Sequence, residues 1–243
     1  MNSKLIKKQF EKSFDTYNKN AIVQQFLAEK LSSEVAKINK KFENVLELGC
    51  GTGLLTSELK NKISFEKYFA NDIVEKSEKY VKNIIPSAQF YIGDARKIKP
   101  VQKMDLIISN AMFQWFENLE KVGEIYKNFL NKDGILAFST FTKENYKEIK
   151  ALTGLTLDYK TVEQIKDVFG KHYEILQVDE YNKLMRFDSP LELLAHMKST
   201  GVNSLSQKHW TFKEIKDFCD RCKSVYPQIT LTYAGLIFIC KKI

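Results

Sequence analysis

Arginine is scarce in this chain of 243 residues: only three of its 38 basic side chains are arginine. Readers of nucleic acid rely on arginine for bidentate contacts to base edges, so a net charge of +8 does not by itself point to that class. Cysteine is also scarce. Cys50, Cys219, Cys222 and Cys240 are too few and too scattered for a disulfide framework. Cys219 and Cys222 form a lone Cys-x-x-Cys with no second pair at zinc spacing, so no metal is expected. Long apolar runs are missing. The opening MNSKLIKKQF lacks a signal-peptide core, and no segment reaches membrane-spanning length. The expected setting is the cytoplasm, with neither a membrane nor a nucleic acid as partner. Linkers, repeats and low-complexity tracts are absent as well, which points to one domain over 1–243. Hydrophobic residues make up 44% of the chain, enough for a packed core of that size.

The basic excess is unevenly placed. Residues 1–43 carry nine lysines against five acids, and 180–243 carry ten basic residues against six acids. Each flank is therefore +4, and the stretch between them is neutral. Lysine-rich drift explains this, and so does an acidic partner that meets both flanks.

Periodicity divides the chain. Residues 4–39 read as helix, with Phe10, Phe14 and Tyr17 on one face and a break near Asn18–Asn20. Short apolar strands follow at 44–48, 67–71, 88–92, 104–109 and 135–140. Helices are expected from Gly53, over 75–84 and over 118–130, the last ending in an NKDG turn. This alternation predicts an α/β fold, a doubly wound and mostly parallel sheet with helices on both faces. Helices near 143–151 and 161–169 precede a strand at 173–178, which 182–187 extends or follows. Capping boxes at Ser189–Glu192 and Thr211–Glu214 open two more helices, and 230–240 is a last strand. The expected parts are a helical cap (1–43), a core (44–187), a helical lid (188–229) and the last strand (230–243).

The strand at 44–48 runs into ELGCGTG (47–53), which opens a helix. Glycines there permit a tight turn and a close approach of backbone to ligand. Asp72 ends the second strand, 19 residues after Gly53, where a carboxylate can accept both ribose hydroxyls. The alternative for Asp72 is a helix N-cap. Up to this point a dinucleotide enzyme fits equally well. The third and fourth strands then end in Gly93-Asp94-Ala95 and Ser109-Asn110-Ala111, the latter followed by Met112-Phe113-Gln114-Trp115.

In that order, ELGCGTG, NDI, GDA and DLIISNAMFQW resemble the class I methyltransferases. The resemblance implies a seven-stranded Rossmann-like sheet and S-adenosylmethionine as cofactor. It implies that Gly49, Gly51 and Gly53 border the methionine part and that Asp72 binds the ribose, with Ile73 against the adenine. Asp94 and the Ala95 backbone would read the adenine edge, and the Asn110 carbonyl would meet the methionine amine. Glu47 and Gln114 complete the implied cofactor set.

Beyond the core, FEKSFDTYNKNAIVQQ (10–25), LMRFDSPLELLAHMKSTGVNSL (184–205), WTFKEIKDFC (210–219) and LTYAGLIF (231–238) resemble the malonyl-acyl-carrier-protein O-methyltransferases of early biotin synthesis. Tyr17 and Gln24 match the family's Tyr–x6–Gln, and Met197 to Asn203 match its lid segment. Ala234 stands where the family commonly has His, and Asn145 where it commonly has Gly. The implied reaction methylates the free malonyl carboxylate, with an acidic acyl carrier protein as partner. Tyr17 is then the candidate catalytic residue, and Tyr17, Trp115, Arg186 and Tyr233 the substrate contacts. Core packing is the alternative for Trp115 and Tyr233, and a surface ion pair for Arg186. His196 reads as an ordinary surface residue of the lid helix. Another small carboxylic acid, amine or phenol is the alternative acceptor.

Overall fold

A computed structural model describes residues 3–200 and 210–243, with the backbone alone at 3–6, 9, 13 and 15. Two helices come first, α1 (Ser3–Asn20) and α2 (Ile22–Ile38). The core then alternates β1 (Lys41–Leu48), α3 (Leu54–Lys62), β2 (Ser64–Asp72), α4 (Ser77–Ile84), β3 (Gln89–Ile92) and β4 (Met104–Ser109). A 3-10 turn (Phe113–Trp115) leads to α5 (Leu119–Phe129), β5 (Leu130–Phe141), α6 (Lys147–Thr153), α7 (Val162–Gly170) and β6 (Tyr173–Phe187). Helices α8 (Pro190–Ser199) and α9 (Phe212–Val225) stand before β7 (Ile229–Lys242).

The seven strands form one sheet in the order β3-β2-β1-β4-β5-β7-β6. The first five are parallel, and β7 runs antiparallel to both β5 and β6. This is the doubly wound, mostly parallel sheet that the alternation predicts. Side chains on the central strands alternate between two cores. Val45, Tyr68, Leu106 and Ile237 lie in one, and Leu46, Phe69, Ile107 and Phe238 in the other. Central strands buried on both faces need continuous apolar runs, and β7 is buried from Leu231 through Cys240. The edges differ. β3 has only four residues, and β6 alternates between covered and exposed positions.

Several boundaries move from their expected places. The NKDG segment is no free turn but lies within β5. The pairing register shifts between Met104 and Leu106, and Asp133 takes a left-handed φ of 59°. Helix α6 starts at Lys147 rather than 143, because Tyr146 is left-handed (φ 57°, ψ 35°) and cannot continue a helix. Strand β6 runs unbroken through 182–187. Thr211 and Glu214 form the full capping box. Ser189 caps Glu192, but the Glu192 carboxylate turns to the Asp188 N–H instead. An unforeseen box, Thr161 with Gln164, opens α7. No helix among the described residues is long and apolar enough to cross a membrane. Gly201 to Asn203 of the expected lid match lie outside the described residues, as does Lys208.

Candidate active site

A cleft opens at the carboxyl ends of β1, β2, β3 and β4. Strand order reverses between β1 and β4, and open α/β sheets hold ligands at such a reversal. The cleft encloses about 1060 Å³, open solvent included, the scale of a small-molecule site. The glycine loop forms its base. Gly49 has φ 64°, and a Cβ there would stand 2.6 Å from the Met112 sulfur. Gly51 has φ 52°, and a Cβ there would meet nothing within 4 Å. Its bare backbone lines the cleft and leaves room for a ligand to approach. The Thr52 hydroxyl donates to Asn18 on α1 at 2.5 Å, which ties the loop to the helix above it.

Asp72 is 8% exposed on the cleft wall. Its carboxylate accepts from the Gly51 N–H and the Val74 N–H, each at 2.7 Å. Burial raises its pKa, although these bonds oppose the rise. The residue therefore organises the turn after β2 and also faces the ligand space, and it is not the N-cap of α4, whose cap position is Lys76. Its neighbour Asn71 donates to the Tyr91 and Gly93 carbonyls, which holds the end of β3 beside β2. Ile73, Asp94, Ala95 and Asn110 all line the cleft. Asp94 is paired with Arg96, whose backbone N–H and Nε donate to it at 3.0 and 2.8 Å.

Glu47 also borders the cleft, but its carboxylate points between the sheet and α3. There it accepts from the Thr56 hydroxyl at 2.6 Å and the Tyr68 phenol at 2.5 Å. It is 1% exposed, and burial pushes its pKa up to about 7 against those two bonds. Two expected cofactor contacts lie elsewhere. Gly53 caps α3 in a left-handed conformation and faces a side groove. Gln114 donates to the Ala111 carbonyl at 2.6 Å and lines a second, inner space. The 3-10 turn after β4 carries its side chain past the cleft.

The inner space encloses about 320 Å³, open solvent included, and its lining has no charged side chain among the described residues. Phe10, Tyr17, Ala111 and Trp115 line both spaces and form the partition between them. Phe10 meets Tyr17 edge-on at 6.3 Å and Trp115 at 5.9 Å. Ala111 holds φ 52°, strained for a residue with a side chain, and its N–H is bonded to Ser139. Burial raises the Tyr17 phenol well above its ordinary pKa, and Tyr233 and Asp72 add to the rise. The phenol thus stays protonated at neutral pH.

Two expected substrate contacts line neither space. Arg186 is exposed on β6 and donates to Gln228 at 3.1 Å, because alternation on this edge strand turns Met185 and Phe187 inward instead. Tyr233 is 0% exposed and sits behind Tyr146. The sequence reading missed Tyr146 and Tyr159 of the inner wall, and it placed His196 on the surface. His196 is partly buried, with Nε2 2.7 Å from the Tyr233 hydroxyl. Nothing in the local pattern marks these three. They meet only when α6 and α8 fold onto β7.

Comparison with known proteins speaks to the family and the fold. Residues 20–207 match a family model described as a methyltransferase domain. The malonyl-[acyl-carrier protein] O-methyltransferase of Calditerrivibrio nitroreducens is 35% identical, over 97% of this chain and 96% of its own length. That of Haemophilus influenzae is 33% identical over 97% and 93%. Among solved structures, the Bacillus subtilis YcgJ protein superposes with a TM-score of 0.63 at 12% identity, over 88% of this chain and 97% of that one. The N-methyltransferase NodS of Bradyrhizobium japonicum, in complex with S-adenosylhomocysteine, gives 0.53 at 10% identity, over 88% and 85%. These two likenesses speak to fold. The full-length likeness to the named relatives goes further, and by it the chain belongs to the malonyl-[acyl-carrier protein] O-methyltransferase family.

Proposed function

We propose that this chain transfers a methyl group from S-adenosylmethionine to the free carboxylate of a malonyl thioester on acyl carrier protein, an early step of biotin synthesis. The observation that carries this reading is the inner space behind an aromatic partition, uncharged among the described residues, beside a cleft suited to the cofactor. Bare backbone at Gly51 and a buried carboxylate at Asp72 fit an adenosyl group with its ribose diol. When bound, S-adenosylmethionine supplies an electrophilic methyl on a sulfonium.

The acceptor needs no base, since a carboxylic acid is ionised at neutral pH. Its oxygen forms the new bond to carbon, the electron pair of the broken carbon–sulfur bond stays on sulfur, and no proton moves. A cation and an anion become two neutral groups. A dry space without fixed charge favours that loss of charge, whereas a lysine beside the acceptor would stabilise the reactant. Phe10 and Trp115 exclude water from the partition, and Tyr17 donates its hydroxyl to hold the acceptor in line. Mass spectrometry of a malonyl-carrier mixture tests the function, with a gain of one methyl expected. No gain on any malonyl thioester refutes it.

Tyr17→Phe should leave S-adenosylhomocysteine affinity within a few-fold and lower turnover by about tenfold, the scale of one hydrogen bond to a charged group. Wild-type turnover in this variant would make Tyr17 a packing residue.

The carrier partner is read from charge. The two basic flanks converge in space, since α1 packs against α8 and α8 against α9. Lys8, Lys12, Lys213, Lys216, Arg221 and Lys223 are exposed there. An acidic carrier would be steered to this face, and helices α8 and α9 would act as a lid. Single exposed pairs contribute only about 0.2–1 kcal/mol, so no one lysine should decide binding. Reversing Lys213, Lys216 and Lys223 together to Glu should depress kcat/KM on the carrier substrate far more than on malonyl-coenzyme A. The difference should shrink as salt shortens the Debye length from about 10 Å at 0.1 M to about 3 Å at 1 M. A ratio indifferent to both changes would mean that the flank charge is compositional drift. The compartment we assign is the cytoplasm, on the argument that all four cysteines are free.

A further inference from the structure

Two residues of the inner space are held in ways that packing alone does not explain. Gln24, on α2, is 4% exposed, and its amide oxygen has no hydrogen-bond partner. A buried polar atom without a partner is costly, so such an atom on a cavity wall points to a ligand. A half-turn about the last side-chain bond lets the same amide offer N–H instead. Tyr146 stands on the facing wall in a left-handed backbone conformation that bulky residues avoid. Its N–H is fastened to the Thr232 carbonyl at 2.8 Å, and its ring meets Tyr233 edge-on at 4.9 Å. Behind that ring, the Tyr233 hydroxyl lies 2.7 Å from His196 Nε2.

We propose that Gln24 and Tyr146 bind the acceptor's carboxylate in the inner space, and that Tyr233 and His196 are positioning residues that hold the Tyr146 ring in place. This rests on the proposed function, which makes the acceptor a carboxylate.

The Tyr233 ring supports that of Tyr146 edge-on, and the bond to His196 fixes the Tyr233 hydroxyl. Burial lowers the His196 pKa, so its ring stays neutral and brings no fixed charge to the carboxylate. Neutral donors orient the oxygen without cancelling the charge that the reaction consumes. The same chemistry disfavours an amine or phenol, which needs a base to take its proton, and the lining of the inner space contains no acidic side chain among the described residues.

The test compares Tyr146→Phe, His196→Leu, His196→Gln and Gln24→Glu with wild type, using malonyl-carrier substrate. S-adenosylhomocysteine affinity is titrated by calorimetry on the same proteins. Tyr146→Phe should raise KM about tenfold, the scale of a lost bond to a charged group, and His196→Leu by a few-fold, with cofactor-product affinity within about threefold in both. His196→Gln should recover most of the loss, because its amide N–H can donate to Tyr233, and a merely structural role would not predict that rescue. Gln24→Glu sets a carboxylate against the acceptor and should raise KM further. Should it fail to fold, the Tyr146 and His196 variants decide the matter. Wild-type KM in both Tyr146→Phe and His196→Leu overturns the assignment and leaves the proposed function standing. A wild type that methylates no malonyl thioester overturns both.

Discussion

Replacing Asp72 with Ala should weaken S-adenosylhomocysteine binding by about tenfold to more than a hundredfold, the equivalent of roughly 1.5–3 kcal/mol for a charge-assisted acceptor. The loss has two parts. The carboxylate is the candidate acceptor for the ribose hydroxyls, and it also holds the Gly51 N–H at 2.7 Å and so fixes the loop on which the ligand lies. Asp72→Asn separates them. Its single amide oxygen can keep the Gly51 bond while the charge is lost, so its affinity should fall between wild type and Asp72→Ala. Calorimetric titration measures all three. Tight binding of NADH with none of S-adenosylhomocysteine would refute the cofactor assignment and return the glycine loop to the dinucleotide reading.

The second large effect concerns stability. Glu47 has a pKa of about 7 in the folded chain, against about 4.3 for an unperturbed glutamate in the unfolded one. The folded state thus holds this proton more tightly. Below the unfolded value both states are protonated, and the contribution is fully present. As pH rises from about 4.5 to 7, the unfolded chain releases its proton first and stability is lost, by about 3 kcal/mol at the upper end. Glu47→Gln cannot titrate and keeps the size of the side chain. In urea unfolding, the stability of Glu47→Gln relative to wild type should therefore climb between pH 5 and pH 8. Wild type loses stability over this window, and the variant lacks that loss. A difference that stays flat with pH would mean that Glu47 ionises normally in the fold.

The cleft was legible in the sequence because each of its parts is local. A strand of four or five apolar residues followed by a glycine or an acid specifies its own turn. A doubly wound sheet brings all such turns to one edge. ELGCGTG, Asp72, Asp94 and Asn110 needed only that rule. Even there, Gly53 and Gln114 fell outside the cleft, since a one-residue difference in turn geometry decides which way a side chain faces.

The inner space obeyed no local rule. Its walls come from α1, α2, the turn after β4, the segment before α6 and the end of α8. Asn145 and Ala234 look in the sequence like two unrelated departures from a family pattern. In the fold, the Ala234 N–H donates to the Asn145 side chain at 3.1 Å across 89 residues. That side chain also donates to the Tyr159 hydroxyl at 2.9 Å. His196, read as a surface residue, is drawn to Tyr233 across 37 residues. Such bonds depend on the antiparallel register of β5 with β7 and on how α6 and α8 pack over it. The sequence by itself determined the sheet, the family and the cofactor cleft, because short-range backbone preferences and strand-end motifs encode them. Only the tertiary structure decided which neutral side chains line the inner space, because hydrogen bonds between distant segments exist only once the strands are in register.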